Sequence, residues 1–243
     1  MTPDVPAIRE IWVYLSGSPL LALLLTLGAY QCGLLAYERA ERHPVANPVA
    51  IAVIIVAVAI TLLDMPYAKY FEGAQFVHFL LGSATVGLAV PIYKGLAALR
   101  GRVLPLLAAL VAGATTSIVS AVGIARALGA DQAIIGGFYA KSVTAPIAMG
   151  VAERLHVSPT LTAVFAVSTG ILGAVLARFV LDFVGCKAWW QRGFALGVAS
   201  HGIGTSRAFS VSHEAGTYSS IAMGMHGVLG AVLIPTVVSW LRL

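Results

Sequence analysis

The chain has 243 residues, of which 59% are hydrophobic and only 10% are charged, and its mean hydropathy is +0.90. Soluble domains carry about 25% charged residues, so this composition excludes an ordinary soluble domain and indicates a multi-pass membrane protein. The net charge of +5 comes from lysines and arginines scattered singly between apolar runs. They form no basic face for DNA or RNA and are typical of topology signals.

The N-terminal stretch MTPDVPAIRE has acidic residues and no basic n-region, so we expect it to stay attached rather than act as a cleaved secretory signal. Apolar residues at helical spacing predict that residues 1–17 form an amphipathic segment lying on the membrane. Six apolar stretches then approach or exceed the roughly 20 residues that cross a bilayer. They are 11–37, 43–63, 73–93, 103–125, 155–177 and 215–241.

Two further segments are less regular. Residues 131–152 are long enough to cross but carry Lys141 at their middle. Residues 193–206 lie between two arginines and would give only about 21 Å of helix. Either Arg207 lies within the membrane or this second segment enters the bilayer and returns.

These patterns predict an all-α integral membrane protein with about eight hydrophobic elements in one polytopic domain, 1–243, with two or three elements broken or re-entrant. Element starts at 48, 73 and 103 recur near 160, 190 and 218, an offset of about 112 to 117 residues. This offset predicts two similar halves, 18–128 and 131–243. Whether the halves are parallel or inverted relative to each other stays open. The cluster of Lys94, Arg100 and Arg102 places its loop in the cytoplasm.

The first irregular element is FLLGSATVGLAVPIY, at 79–93, where Ser83, Thr85 and Pro91 accompany glycines. Proline lacks the amide that helps to close a helical turn, so this combination permits a kink or an unwound turn near mid-membrane. A small-residue face packed on a neighbouring helix is the alternative interpretation.

The second is KSVTAPIAMG, at 141–150. Lys141 lies about ten residues from either end of its segment, too deep for its ammonium group to reach an interface. It therefore needs an anion, which is either a bound solute or a carboxylate from another helix, such as Asp64 or Asp182.

Pro146 predicts a helix break close to Ser142 and Thr144 in this second element. A break exposes backbone amides at a helix end, where they favour negative charge. With Lys141 and the two hydroxyls, these amides would form a carboxylate site.

The third is ALGVASHGIGTSRAF, at 195–209, which concentrates His201, Gly202, Thr205 and Arg207. A guanidinium group can hold a carboxylate through two parallel hydrogen bonds, although an interfacial turn with a snorkelled arginine is the alternative. Histidine changes charge near neutral pH, so His201 could couple proton movement to solute movement.

An enzymatic interpretation has little support. A hydrolase with Lys141 beside Ser142 or Ser200 is the one nucleophile arrangement that the sequence offers, and recognised catalytic motifs are missing. Cys32 and Cys186 are far apart and lack metal-binding spacing. We predict no catalytic residue, no metal and no cofactor other than a coupled proton or sodium ion.

The motifs FLLGSATVGLAVPIY, KSVTAPIAMGVAE, LTAVFAVSTGILGAV and RGFALGVASHGIGTSRAF resemble, in order and spacing, the LrgB/CidB family of bacterial membrane proteins. The family includes the C-terminal membrane part of the plastidal glycolate/glycerate transporter of plants. The chain departs from the family pattern at Ser83, Ala145 and Ser206, where proline, threonine and alanine are usual. The family-like positions are Thr85, Lys141, Ser142, Thr144, Pro146, His201, Thr205 and Arg207.

The resemblance implies a bacterial cytoplasmic (inner) membrane protein that either transports small carboxylates or acts as a holin/antiholin-like modulator of murein hydrolase activity and cell lysis. It also implies a small LrgA-like membrane partner, and a homodimer stays open. A lesion-forming protein has no need of a buried lysine, so we expect a transporter of glycolate, glycerate, lactate or pyruvate. Its predicted substrate-binding residues are Ser83, Thr85, Lys141, Ser142, Thr144, His201, Gly202, Thr205 and Arg207, with helix breaks at Pro91 and Pro146.

Overall fold

The computed structural model describes residues 19–87, 90, 93 and 101–241, without the side chains of residues 78, 81–85 and 87. The described residues form nine α-helices and contain no strand, which confirms the all-α membrane fold class. The helices are α1 Pro19–Arg39, α2 Pro48–Leu62, α3 Tyr67–Gly87, α4 Val103–Ala127, α5 Gln132–Phe138, α6 Ala145–Arg154, α7 Pro159–Phe183, α8 Trp189–Val211 and α9 His213–Leu241. The predicted amphipathic segment at 1–17 lies outside the described residues.

The chain packs as two compact units, Met1–Gly87 and Leu88–Leu243. In the first unit, α1 packs against α2 and α3, and the hydroxyls of Thr26 and Tyr70 lie 2.7 Å apart. Counting α5 and α6 as one broken element, the described helices make eight elements, as the sequence predicts. The division into repeats at 18–128 and 131–243 stays a prediction.

Four described helices, α1, α4, α7 and α9, are long and apolar enough to cross a membrane. The predicted span at 43–63 is too long, because α2 has only 15 residues, or about 22 Å. The side chain of Asn47 accepts hydrogen bonds from the amides of Val49 and Ala50, and Pro48 opens the helix, so the preceding residues stay outside it. Ser158 and Pro159 start α7 in the same way, later than the predicted residue 155.

The helices α5 and α6 are the two arms of a re-entrant hairpin, hairpin A, whose tip is 139–144. A Cβ built on Gly136 would lie 2.5 Å from the side chain of Val157, which follows α6. In a continuous helix these two residues would be about 30 Å apart. The chain therefore turns back at the tip. The start of α5 and the end of α6 lie together near the start of α7, and we call this end of a hairpin its mouth.

A second re-entrant hairpin, hairpin B, is formed by α8 folding back on itself at His201. A Cβ built on Gly204 would lie 2.8 Å from the carbonyl oxygen of Leu196, and Leu196 shares a core cluster with Ala208. A straight helix would separate Leu196 and Ala208 by about 18 Å. Of the two predicted alternatives for 193–206, the segment that enters and returns is the one observed.

The two hairpins enter unit two from opposite ends of α7. Hairpin A packs beside the start of α7, where Phe138 stacks on Phe165 with ring centroids 4.1 Å apart. Hairpin B opens beside its end, where Arg178 lines a cavity together with Trp189 and Val211. Because α7 has 25 residues, about 37 Å, the hairpins enter from opposite sides of a bilayer.

The long helices α4 and α9 run parallel to each other beside these hairpins. At the mouth of hairpin B, Arg102 precedes α4, donates to the Tyr218 hydroxyl of α9 at 2.9 Å and lies 4.7 Å from the Trp190 ring centroid. At the mouth of hairpin A, Val122 of α4 shares a core cluster with Ile234 of α9. Since α7 runs the opposite way, three crossing helices hold the two hairpins between them.

Candidate functional site

Lys141 lies in the tip of hairpin A, partly buried, and its ammonium group donates to the hydroxyl of Ser117 in α4 at 2.9 Å. Within the described part of the chain, no carboxylate lies within ion-pair distance of Lys141. Asp182, one of the two carboxylates considered as its partner, is bound by Arg192 at 2.6 Å. A neutral hydroxyl therefore contacts the ammonium group of Lys141, for which the sequence predicts an anionic partner.

The next residue in the tip, Ser142, is fully buried, and its Oγ lies 3.0 Å from Nε2 of His226 in α9. Thr144 is the N-cap of α6 by backbone position, and its side chain makes no capping bond. Pro146 occupies the first turn of α6, so the helix restarts where a missing amide costs little. The interruption includes Ser142 and Thr144, where the sequence predicts a break.

His201 forms the tip of hairpin B with φ 39° and ψ −131°, a conformation that is costly for a residue with a side chain. Its Nε2 lies 2.8 Å from the carbonyl oxygen of Ala166 in α7, and the side chain is buried. A Cβ on Gly170 would lie 2.8 Å from the imidazole. The absence of a side chain at Gly170 is therefore needed for the tip to reach α7.

Thr205 secures the returning arm of hairpin B. Its hydroxyl donates to the carbonyl oxygen of His201 at 2.8 Å and lies 2.9 Å from the hydroxyl of Ser219 in α9. Both hydroxyls are buried, so Thr205 positions the tip rather than facing open space. Gly202 follows His201, and a Cβ there would contact only the sulfur of Met223, at 3.9 Å.

The two tips converge on α7 and α9. The carbonyl oxygen of Ala166 accepts a hydrogen bond from the imidazole of His201. Ala166 also belongs to the core cluster that contains Tyr139 and Val143 of the tip of hairpin A. His226 of α9 contacts Ser142, and Ser219 of the same helix contacts Thr205 on the returning arm of hairpin B. Lys141, Ser142 and His201 therefore lie at tips that pack on the same two helices, and their role in binding a solute stays a prediction.

Arg207 is not part of this cluster, contrary to the prediction that it holds the same carboxylate. It lies on the returning arm, its Nη1 is 3.4 Å from the Ser210 hydroxyl, and it lines a cavity at the mouth of hairpin B together with Arg178 and Lys187. The reversal at His201 causes this separation, because it carries Arg207 back towards the mouth.

The first irregular element contributes less to the described structure. The backbone of α3 is helical through Gly87, so residues 83 and 85 lie in continuous helix. The side chains of Ser83 and Thr85 lie outside the described part, as does Pro91. Their roles in binding stay predictions.

Several polar residues of the site were missed by sequence reasoning. They are Ser117, Ser219 and His226. Ser200, which the sequence offers only as a candidate nucleophile, has a buried Oγ with no hydrogen-bond partner among the described residues. A signal was present in α9, because Ser219, Met223 and His226 recur on one helical face within an apolar span. Within the described residues, no group of three His, Cys, Asp or Glu side chains could hold a metal ion.

A cavity of about 660 Å³ leads from the mouth of hairpin B towards Lys141. It lies between α4 and α8, with Pro105 and Trp190 at the mouth and Ala199 near the tip. Ser117, the hydrogen-bond partner of Lys141, also lines it. The volume is in the range of small-molecule sites.

Comparison with known proteins agrees with this membrane architecture. The LrgB-like family matches residues 26–240. The Bacillus subtilis protein named "Uncharacterized protein YxaC" is 32% identical, covering 91% of this chain and 96% of its own. "Holin-like protein CidB" of Staphylococcus epidermidis is 27% identical, covering 90% and 95%. No solved structure matches significantly. The chain is a multi-pass membrane protein and belongs to the LrgB-like family.

Proposed function

We propose that the protein is a secondary transporter of small monocarboxylates of the glycolate, glycerate, lactate or pyruvate type. The observation that carries the proposal is the meeting of two opposed re-entrant hairpins, with Lys141 at one tip and His201 at the other. Broken helices that meet near the bilayer midplane are typical of substrate sites in secondary transporters.

The depth of the tips supports this proposal. The α6 arm has 10 residues, about 15 Å, which is half the thickness of a hydrocarbon core of about 30 Å. At that depth an ammonium group without a carboxylate partner among the described residues is costly, and a substrate carboxylate would lower the cost. The Thr144 hydroxyl and the first amides of α6 add donors beside it.

The cavity between α4 and α8 supports access from one side. Its lining joins the mouth of hairpin B to Ser117, so a solute that enters there reaches the hydrogen-bond partner of Lys141 without crossing the packed core. Alternating access would require the tips to open a similar path at the mouth of hairpin A. The protein would then act in the cytoplasmic membrane.

A holin-like role is the second candidate, and the name of the relative "Holin-like protein CidB" favours it. Such a protein would modulate murein hydrolase activity and cell lysis, with a small LrgA-like membrane partner. In that case the charged tips would have no solute to bind.

Uptake of labelled glycolate, lactate and pyruvate into liposomes that hold the purified protein distinguishes the two. We expect saturable uptake that Lys141→Met abolishes and Lys69→Met leaves unchanged, because Lys69 is an exposed lysine in α3. Equal leakage of neutral solutes through the wild type and both variants would reject transport and favour the holin-like role.

A further inference from the structure

A second charged site lies at the mouth of hairpin B. A cavity of about 430 Å³ there is enclosed by the end of α7, both arms of hairpin B and the start of α9. Among the described residues, four cationic side chains and a single carboxylate line it: Arg178, Lys187, Arg192, Arg207 and Asp182. This excess of positive charge is not needed by the site at the tips.

The ion pairs within the cavity neutralise only part of this positive charge. Asp182 binds Arg192 at 2.6 Å and lies 3.8 Å from Arg178. Arg192 also donates to the carbonyl oxygen of Cys186 at 2.9 Å, so it is held as a structural group. One carboxylate cannot neutralise Arg178, Lys187 and Arg192 together, and the cavity therefore favours a further anion.

The position of the cavity identifies the source of that anion. Trp189 lines it, and tryptophan is enriched where membrane proteins meet the lipid headgroups. Apolar side chains such as Leu181, Leu196 and Val211 line the same cavity. A lining that is cationic on one part and apolar on another matches a lipid, with its phosphate beside its acyl chains.

Charge also places this mouth on the cytoplasmic side. Arg102 lies there with the four cationic side chains, whereas the described residues at the mouth of hairpin A include two arginines, Arg126 and Arg154. The positive-inside rule assigns the more basic side to the cytoplasm. Basic pockets between membrane helices on that side bind anionic lipid headgroups.

We propose that the cavity binds the phosphate group of an anionic phospholipid of the cytoplasmic leaflet between α7 and hairpin B. A lipid held there would contact both arms of the hairpin and so stabilise one position of its tip. This proposal does not depend on the identity of any transported solute.

The test is binding of phosphatidylglycerol to the purified full-length protein, measured by native mass spectrometry with phosphatidylcholine as the reference lipid. A Lys or Arg near a membrane surface contributes about fivefold to anionic lipid binding, so the double variant Arg178→Gln/Lys187→Gln should bind phosphatidylglycerol about thirtyfold more weakly. Arg154→Gln, an exposed arginine at the other mouth, is the matched control and should bind like the wild type.

Two results would overturn the proposal. One is unchanged phosphatidylglycerol preference in the double variant, provided that its thermal unfolding midpoint matches that of the wild type. The other is displacement of the lipid by inorganic phosphate at equal concentration, which would indicate a soluble oxyanion as the ligand. If the double variant does not fold, Arg178→Gln and Lys187→Gln are measured singly, and no weakening in either rejects the lipid site.

Discussion

The Oγ of Ser142 lies 3.0 Å from Nε2 of His226, although 84 residues separate them in the chain. This buried contact joins the tip of hairpin A to α9. Because Ser219 of the same helix lies 2.9 Å from the hydroxyl of Thr205, α9 connects the two hairpins.

Ser142→Ala and His226→Ala should each lower stability by about 1–3 kcal/mol, since each leaves a buried polar partner unsatisfied. The double variant should lose less than the sum, by about 0.5–3 kcal/mol of coupling. Denaturant unfolding in detergent measures the free energy of unfolding of the wild type, the two single variants and the double variant. As a control, Ser142→Ala should be additive with Ser220→Ala, because the Ser220 hydroxyl donates to the Gly216 carbonyl of its own helix. Additivity in the first cycle would contradict the contact.

Gly204→Ala should destabilise the protein by about 1–3 kcal/mol, because the new Cβ would overpack the arms of hairpin B. It would lie 2.6 Å from the Cβ of Ser200 and 2.8 Å from the Leu196 carbonyl oxygen, neither of which can move independently of the backbone. Gly123→Ala is the control, since a Cβ there meets nothing within 4 Å. Thermal unfolding midpoints compare the two, and equal midpoints would argue for a straight α8.

Two buried hydroxyls in hairpin B should respond oppositely to removal. Thr205→Val breaks bonds to His201 and Ser219 and should cost about 1–3 kcal/mol. Ser200→Ala removes a hydroxyl that has no partner among the described residues, so stability should hold or rise. If Ser200→Ala reduces carboxylate uptake at unchanged thermal stability, Ser200 contacts the solute. A greater loss of stability than in Thr205→Val would mean that the Ser200 hydroxyl has a hydrogen-bond partner in the folded protein.

Membrane-impermeant maleimide labelling of intact cells should report both ends of hairpin B on one side. In a Cys32→Ser background, Cys186 should be protected from labelling until the membrane is permeabilised. With Cys186→Ser added, Ser212→Cys should be protected likewise, because α8 returns to its starting side. Glu153→Cys, at the mouth of hairpin A, should label from outside in the same background. Opposite labelling of positions 186 and 212 would mean that α8 crosses the membrane.

The sequence by itself determined the all-α membrane class, because apolar stretches in bilayer-length runs leave few alternatives. It also located both irregular elements of unit two, since Lys141, Pro146 and the His201–Gly202 pair are local signals that break helix or require compensation. The pairs Asn47–Pro48 and Ser158–Pro159 are capping signals that mark the observed helix starts. The apolar pattern alone predicts both starts a few residues too early, at 43 and 155.

Only the tertiary structure decided which polar residues meet. A hairpin and a straight helix satisfy the same apolar pattern. Which of the two forms depends on close packing between the arms, such as that of Gly204 against Leu196. That reversal brings His201 to Ala166 and carries Arg207 away to the mouth. Ser117 and His226 join the site for the same reason: helix packing, which no local pattern encodes, sets their distance to the tip of hairpin A.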